Sequence, residues 1–145
     1  MIRSTLMAVS ESIVKDSDSN SISILNIIED VVLESFPIVM PKFATTVFFQ
    51  KDGTDPDIFN LTLFVRNNNT LLIQHPMRLD FKGKTRNRAI VRFGGILLNE
   101  MGTLRFSVED GTSEICTYTI SLTLRDNVQV AYAAPSTSNP PQGEA

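Results

Sequence analysis

Apolar and polar residues alternate with a period of two over much of this chain. In "GTLRFSVEDG", Leu104, Phe106 and Val108 alternate with Thr103, Arg105, Ser107 and Glu109, which sends apolar side chains to one face of a strand and polar ones to the other. "ICTYTISLTL" repeats the pattern, with Cys116, Tyr118, Ile120, Leu122 and Leu124 inward and Thr117, Thr119, Ser121 and Thr123 outward, as in a half-buried sheet. Similar β-branched and aromatic runs predict strands over 3–15, 21–33, 42–50, 58–66, 71–82 with an interruption at Pro76, 88–98, 103–109 and 114–124. The connections "DSDSN", "KDGTDPD", "RNNNT", "NEMG" and "EDGT" consist of residues that tolerate positive φ or bond their own backbone. The pattern as a whole predicts an all-β, antiparallel sandwich or barrel of about eight strands.

Two stretches test that reading. In "RAIVRFGGILLNE", Ala89, Val91 and Phe93 share a face, and Ile96 and Leu98 join it only if an extra residue intervenes, which predicts a bulge at Gly94-Gly95. In "NIIEDVVLES", Ile27, Ile28, Val31 and Val32 also suit a helical face. The crowd of β-branched residues and the lack of a preceding cap favour strand.

Past Arg125 the composition shifts. The segment 126–145 holds three Pro and no core-forming run after Tyr132, so the expected organisation is a sandwich domain over 1–125 and a flexible tail over 126–145. Within the tail, Val128, Val130 and Tyr132 alternate with Gln129 and Ala131. That segment is a candidate partner-binding strand, able to add to a sheet edge of its own or a neighbouring subunit.

Composition narrows the function. A chain of 145 residues is enough for one domain with a sizeable core, and nine Phe supply its bulk in the absence of Trp. The net charge of -3 argues against a general nucleic-acid binder, which needs a basic surface. The single cysteine, Cys116, excludes an intramolecular disulfide and suits a reducing compartment. With no signal-peptide apolar region in "MIRSTLMAVSES" and no apolar run near the ~20 residues of a membrane span, the expected location is the cytoplasm.

Catalytic signatures are sparse. His75, the only histidine, sits in "QHP" without a glycine-serine-glycine elbow anywhere in the chain, and Cys116 falls on an inward face. No catalytic residue is assigned, and the chain is not expected to be an enzyme. No phosphate loop, CxxC pair or HExxH sequence occurs either, so no cofactor is expected beyond calcium. For calcium the candidates are Asp16, Asp18 and Asn20 of "DSDSN" with Asp52, Asp55 and Asp57 of "KDGTDPD" and Asp110 of "EDGT", because hard cations want oxygen ligands from tight turns. A single helix-loop-helix site is excluded, since Ser21 stands where its glycine belongs and Ile27 where its bidentate Glu belongs. The run "FKGKTRNR" places Lys82, Lys84, Arg86 and Arg88 at every second position. On an extended segment these project from one side and can meet a polyanion or an acidic partner, although positive charge also guards sheet edges against pairing.

The order "SISILNIIEDV", "SFPIVMPKF", then "FGGILLNEMGTLRFSVEDG" resembles an uncharacterised bacterial family of small β-sandwich proteins, catalogued only as a domain of unknown function. The likeness runs from about Leu6 to Arg125. Immunoglobulin-like domains in general share the closing hairpin. The resemblance implies an immunoglobulin-like sandwich and a bacterial or prophage origin, and it transfers no catalytic residue. Two functions follow as expectations: a protein-interaction or assembly module, such as an accessory subunit that binds a protein partner or itself, and alternatively a calcium-dependent carbohydrate-binding domain using the acidic loops.

Overall fold

The computed structural model describes residues 1–125, and the candidate strand at Val128, Val130 and Tyr132 lies outside them. Nine strands follow one another: β1 Arg3–Lys15, β2 Ile22–Ile27, β3 Asp30–Leu33, β4 Ile38–Gln50, β5 Ile58–Asn67, β6 Thr70–Asp80, β7 Arg86–Leu98, β8 Gly102–Asp110 and β9 Ser113–Leu124. They form two facing sheets, ordered β2-β1-β4-β7 and β3-β9-β8-β5-β6. Among the described residues no helix is long and apolar enough to cross a membrane.

The alternation read from the sequence is what fills the space between the sheets. Val9, Phe43, Val47 and Phe49 of one sheet meet Leu61, Leu63, Val65, Leu104, Phe106, Val108, Ile120 and Leu122 of the other, all buried. Phe43 stacks on Phe93 with ring centroids 4.7 Å apart and takes Phe106 edge-on at 5.8 Å, geometries that aromatic quadrupoles favour. On β9 the inward and outward sets are as expected, with Ile120 and Leu122 buried and the threonines exposed.

Four expectations are corrected. The run 21–33 is not one strand: β2 belongs to the first sheet and β3 to the second, where it pairs parallel with β9. The break follows Asn26, whose φ of 59° is left-handed, a conformation asparagine tolerates better than most residues. Ile28 then donates its N–H to Val9 while its carbonyl accepts from the Tyr118 hydroxyl, and Glu29 accepts from Ser121, handing the chain from one sheet to the other. The sheets are therefore antiparallel except for this one pair. Pro76 does not interrupt β6. It lies opposite Thr62 on an edge strand, where a missing N–H leaves no central ladder incomplete.

The third correction concerns Gly94-Gly95. Pairing of β4 with β7 stays in step from Gln50↔Arg86 to Ile38↔Leu98, so no extra residue is inserted. Instead both strands change face together: Phe43, Val47, Ala89, Val91 and Phe93 point inward before the irregularity, Met40, Ile96 and Leu98 after it. Gly95, at φ 152°, absorbs the change, and a Cβ there would come within 3.2 Å of the Met40 carbonyl.

The fourth is the basic run, of which only Arg86 and Arg88 are on a strand. Lys82 and Gly83 form a left-handed turn, at φ 51° and 80°, and Lys84 closes it by donating its N–H to the Phe81 carbonyl.

Candidate functional site

Small residues on the outer side of the first sheet create the site. Ala8 and Ser10 of β1 and Ala44 and Thr46 of β4 point away from the core, yet all are buried. What covers them is the β1–β2 hairpin. Past Ser10↔Ala44 the β1–β4 ladder stops, and Pro41 has no N–H with which to continue it. A straight hairpin would carry Asn20 tens of ångströms from Leu6 at about 3.3 Å per residue. Asn20 instead accepts from the Arg88 guanidinium through its carbonyl at 2.8 Å and its side-chain oxygen at 3.2 Å, and Arg88 pairs with Phe48, the neighbour of Leu6. The hairpin is thus folded back across the outer face, with the Ser10 hydroxyl bonding the Ser12 carbonyl at the bend.

Between the hairpin tip and the β6–β7 loop lies a cleft of about 770 Å³. Lys15 comes from the hairpin, Lys82 and Lys84 from the loop, Arg86 and Arg88 from β7, against a single carboxylate, Asp80. Phe48 and Ile90, half-buried on the outward side of β4 and β7, form an apolar floor. Among the described residues Lys15, Lys82, Lys84, Arg86 and Arg88 make no ion pair, whereas Lys51, Arg3, Arg78, Arg105 and Arg125 each have an acidic partner. Positive potential is therefore concentrated here in a chain that is negative overall.

The loop bearing Lys82 and Lys84 is held from beneath. The buried Phe81 donates its N–H to the Asp57 carbonyl, Gly83 donates to the Asp57 carboxylate at 2.9 Å, and Asn87 donates to the Asp80 carbonyl at 2.7 Å. Lys51, itself buried, satisfies its ammonium on Asp57 at 3.3 Å and the Asp55 carbonyl at 3.1 Å, and lies over the Phe81 ring. A buried charge needs such partners. These contacts fix where the two loop lysines emerge.

Most of the predicted calcium residues make other contacts. Asp52 and Asp55 receive the Met1 amino group at 2.6 and 2.5 Å, and Asp52 also receives Arg3. Asp57 braces the basic loop as above. Asp16 accepts the N–H groups of Asp18 and Ser19, and Asn20 holds Arg88. Asp110 ends β8 at the turn into β9. Among the described residues no three His, Cys, Asp or Glu side chains gather as a metal site. His75 and Cys116 occupy β6 and β9, with β8 and β5 between them, a separation of about 14 Å at normal strand spacing. Burial, before any other influence, pushes the Cys116 thiol up from its ordinary pKa, away from nucleophilic form.

The Asp16 turn carries a pH prediction. Donation from the Asp18 and Ser19 amides holds its carboxyl below the usual carboxylate range. Its contribution to stability is then fully present above the unfolded value of about 3.9 and is lost as pH falls through the lower folded value. The denaturation midpoint of the wild type should exceed that of Asp16→Asn at about pH 6 and converge with it below about pH 3. A constant difference across that range would show that the charge contributes nothing.

Sequence reasoning found four of the five cations and missed Lys15, Phe48 and Ile90. Lys15 is brought in only by the hairpin's fold. Phe48 and Ile90 did leave a signal: each is an apolar residue at an outward position of an alternating strand.

The sheet order defines the class. β1-β4-β7 against β6-β5-β8-β9 is the A-B-E against C′-C-F-G arrangement of an immunoglobulin-like sandwich, here with the extra hairpin strand β2 and the parallel edge strand β3. The fold is that of an immunoglobulin-like β-sandwich. No protein-family model matches the sequence, and no curated protein matches it. Among solved structures it is similar to an immunoglobulin-like protein from Pseudomonas aeruginosa, at 10% identity over 84% of this chain and 96% of that one with a TM-score of 0.42. It is also similar to the CARDB domain of a Pyrococcus furiosus protein in complex with di-metal ions, at 14% identity over 81% and 93% with a TM-score of 0.38.

Proposed function

We propose that this protein is a non-enzymatic interaction module that binds an acidic protein partner in the basic cleft, as an accessory or assembly subunit would. The observation that carries the reading is the convergence of Lys15, Lys82, Lys84, Arg86 and Arg88, from a hairpin, a loop and a strand, on one concavity with a single carboxylate. Cations without an internal carboxylate partner keep their electrostatic reach for an incoming ligand, and screening limits that reach to about 8 Å at physiological salt. The net charge of the remaining surface therefore matters less than the local patch. The separation of His75 from Cys116 supports the non-enzymatic part of the reading.

Lys84 and Arg86 are exposed, so reversing both is expected to spare the fold. A Lys84→Glu, Arg86→Glu double variant should bind a fluorescent glutamate-rich peptide at least about tenfold more weakly than the wild type. Wild-type binding should also weaken between about 50 and 200 mM salt. Equal affinity of the double variant and the wild type, with unchanged circular dichroism, would overturn the proposal.

A further inference from the structure

The geometry points to a more specific occupant of this cleft, one that rests on the reading above: an extended acidic peptide segment carrying a bulky apolar side chain, which seats on Phe48 and Ile90 while the flanking carboxylates meet the lysine and arginine rim. Two independent features of the surface lead there. The floor is apolar where a purely ionic site would be polar. Phe48 and Ile90 face outward from neighbouring strands, and Leu6, paired with Phe48, extends the same surface and is 47% exposed. With Leu6 directly opposite Phe48 and Ile90 diagonal to it, an outward apolar patch spans three strands here, beside the small residues that the hairpin covers. The rim carries opposite information, since five cations with no ion pair among the described residues surround that floor. An anion without an apolar group leaves the floor wet, and an apolar group without charge leaves the rim unanswered.

Size and charge distribution select a peptide. About 770 Å³ falls within the roughly 300–1,000 Å³ of sites for molecule-sized ligands, far more than one inorganic anion fills. A nucleic acid brings phosphates at regular intervals beyond the cleft, onto a surface where acidic residues outnumber basic ones, 16 to 13 over the chain. It also wants a series of stacking rings, and of the three phenylalanines lining the cleft Phe49 and Phe81 are buried, which leaves Phe48 to present a ring. A short acidic segment confines its charge to the basic patch. Arg88, clamped by two bonds to Asn20, is preorganised between floor and overhang, so a carboxylate meeting it requires little rearrangement.

The test compares two labelled peptides on the full chain by fluorescence anisotropy at low salt: a short poly-glutamate, and its twin with one central Phe. Burial of the ring should make the second bind about tenfold tighter or more. In Phe48→Ala, and separately in Ile90→Ala, the ratio of the two affinities should collapse toward one, with thermal melts confirming that each variant is folded. Two variants on different strands keep the test decisive if one of them fails to fold. Equal affinity of the wild type for both peptides overturns this inference and leaves the acidic-partner reading standing. Failure of both peptides to bind overturns both. Tighter binding of a single-stranded oligonucleotide than of either peptide also overturns both, in favour of a nucleic-acid ligand.

Discussion

Replacing Phe106 with alanine should cost about 3–5 kcal/mol, a large share of the roughly 5–15 kcal/mol that holds a domain of this size together. Phe106 is completely buried, and its ring meets Phe43 edge-on at 5.8 Å and Phe93 at 6.4 Å, both on the opposite sheet. Its own strand lies between β5 and β9, with Val65 and Tyr118 directly across from it. Alanine would therefore leave a cavity bounded by both sheets, and paired strands on either side cannot move in to fill it. Phe106→Leu should lose much less, because most of the volume remains. Urea denaturation with an unchanged slope measures the difference. A loss below about 1 kcal/mol for Phe106→Ala would mean that the sheets do not pack through this residue.

At the opposite end of the sandwich from the cleft, Asn67→Ala should cost about 2–4 kcal/mol, through hydrogen bonds. Asn67 is 1% exposed and uses both ends of its amide to hold the β7–β8 turn. Its nitrogen donates to the Glu100 and Thr103 carbonyls at 3.2 and 3.1 Å, and its oxygen accepts from the Asn99 and Glu100 N–H groups at 3.0 and 3.2 Å. Truncation strands these backbone groups, which is costlier than losing exposed bonds. Asn67→Asp should fare little better, since a carboxylate keeps the two accepted bonds but faces two carbonyls with no proton to give. Amide exchange at Asn99 and Glu100 should accelerate in Asn67→Ala more than it does at core strands such as β8. Unchanged protection there would refute this account of the turn. Next door, Asn68 bonds the Met101 carbonyl and the Thr103 N–H so closely that a Cβ on Gly102 would meet its side-chain oxygen at 2.2 Å.

The turn illustrates the limit of reading "RNNNT" and "NEMG" as separate signals. Each is recognisable as turn chemistry from its own residues. That the two turns clasp one another through Asn67 and Asn68 depends on the β5–β8 pairing, a contact between segments far apart in sequence. The acidic loops behave likewise. Lys51 stands beside Asp52, Asp55 and Asp57 in the sequence itself, whereas Arg3 and the Met1 amine come to Asp52 and Asp55 only on folding.

Features that depend on a residue's near neighbours in the chain were legible in the order of its residues. A period of two made strands, asparagine, glycine and aspartate made turns, and inward rows such as Leu104, Phe106 and Val108 marked the core, because side-chain direction alternates along any extended backbone. Pairing between distant segments was settled by folding. The tertiary structure divided 21–33 between two sheets at Asn26, let β4 and β7 change face together where a bulge was expected, and folded the β1–β2 hairpin back so that Asn20 meets Arg88 and Lys15 joins the cleft. The physical reason is the same in each case: a strand's backbone bonds and its outer face are satisfied by segments distant in sequence, and their arrangement minimises the free energy of the whole sandwich, whatever any one segment favours.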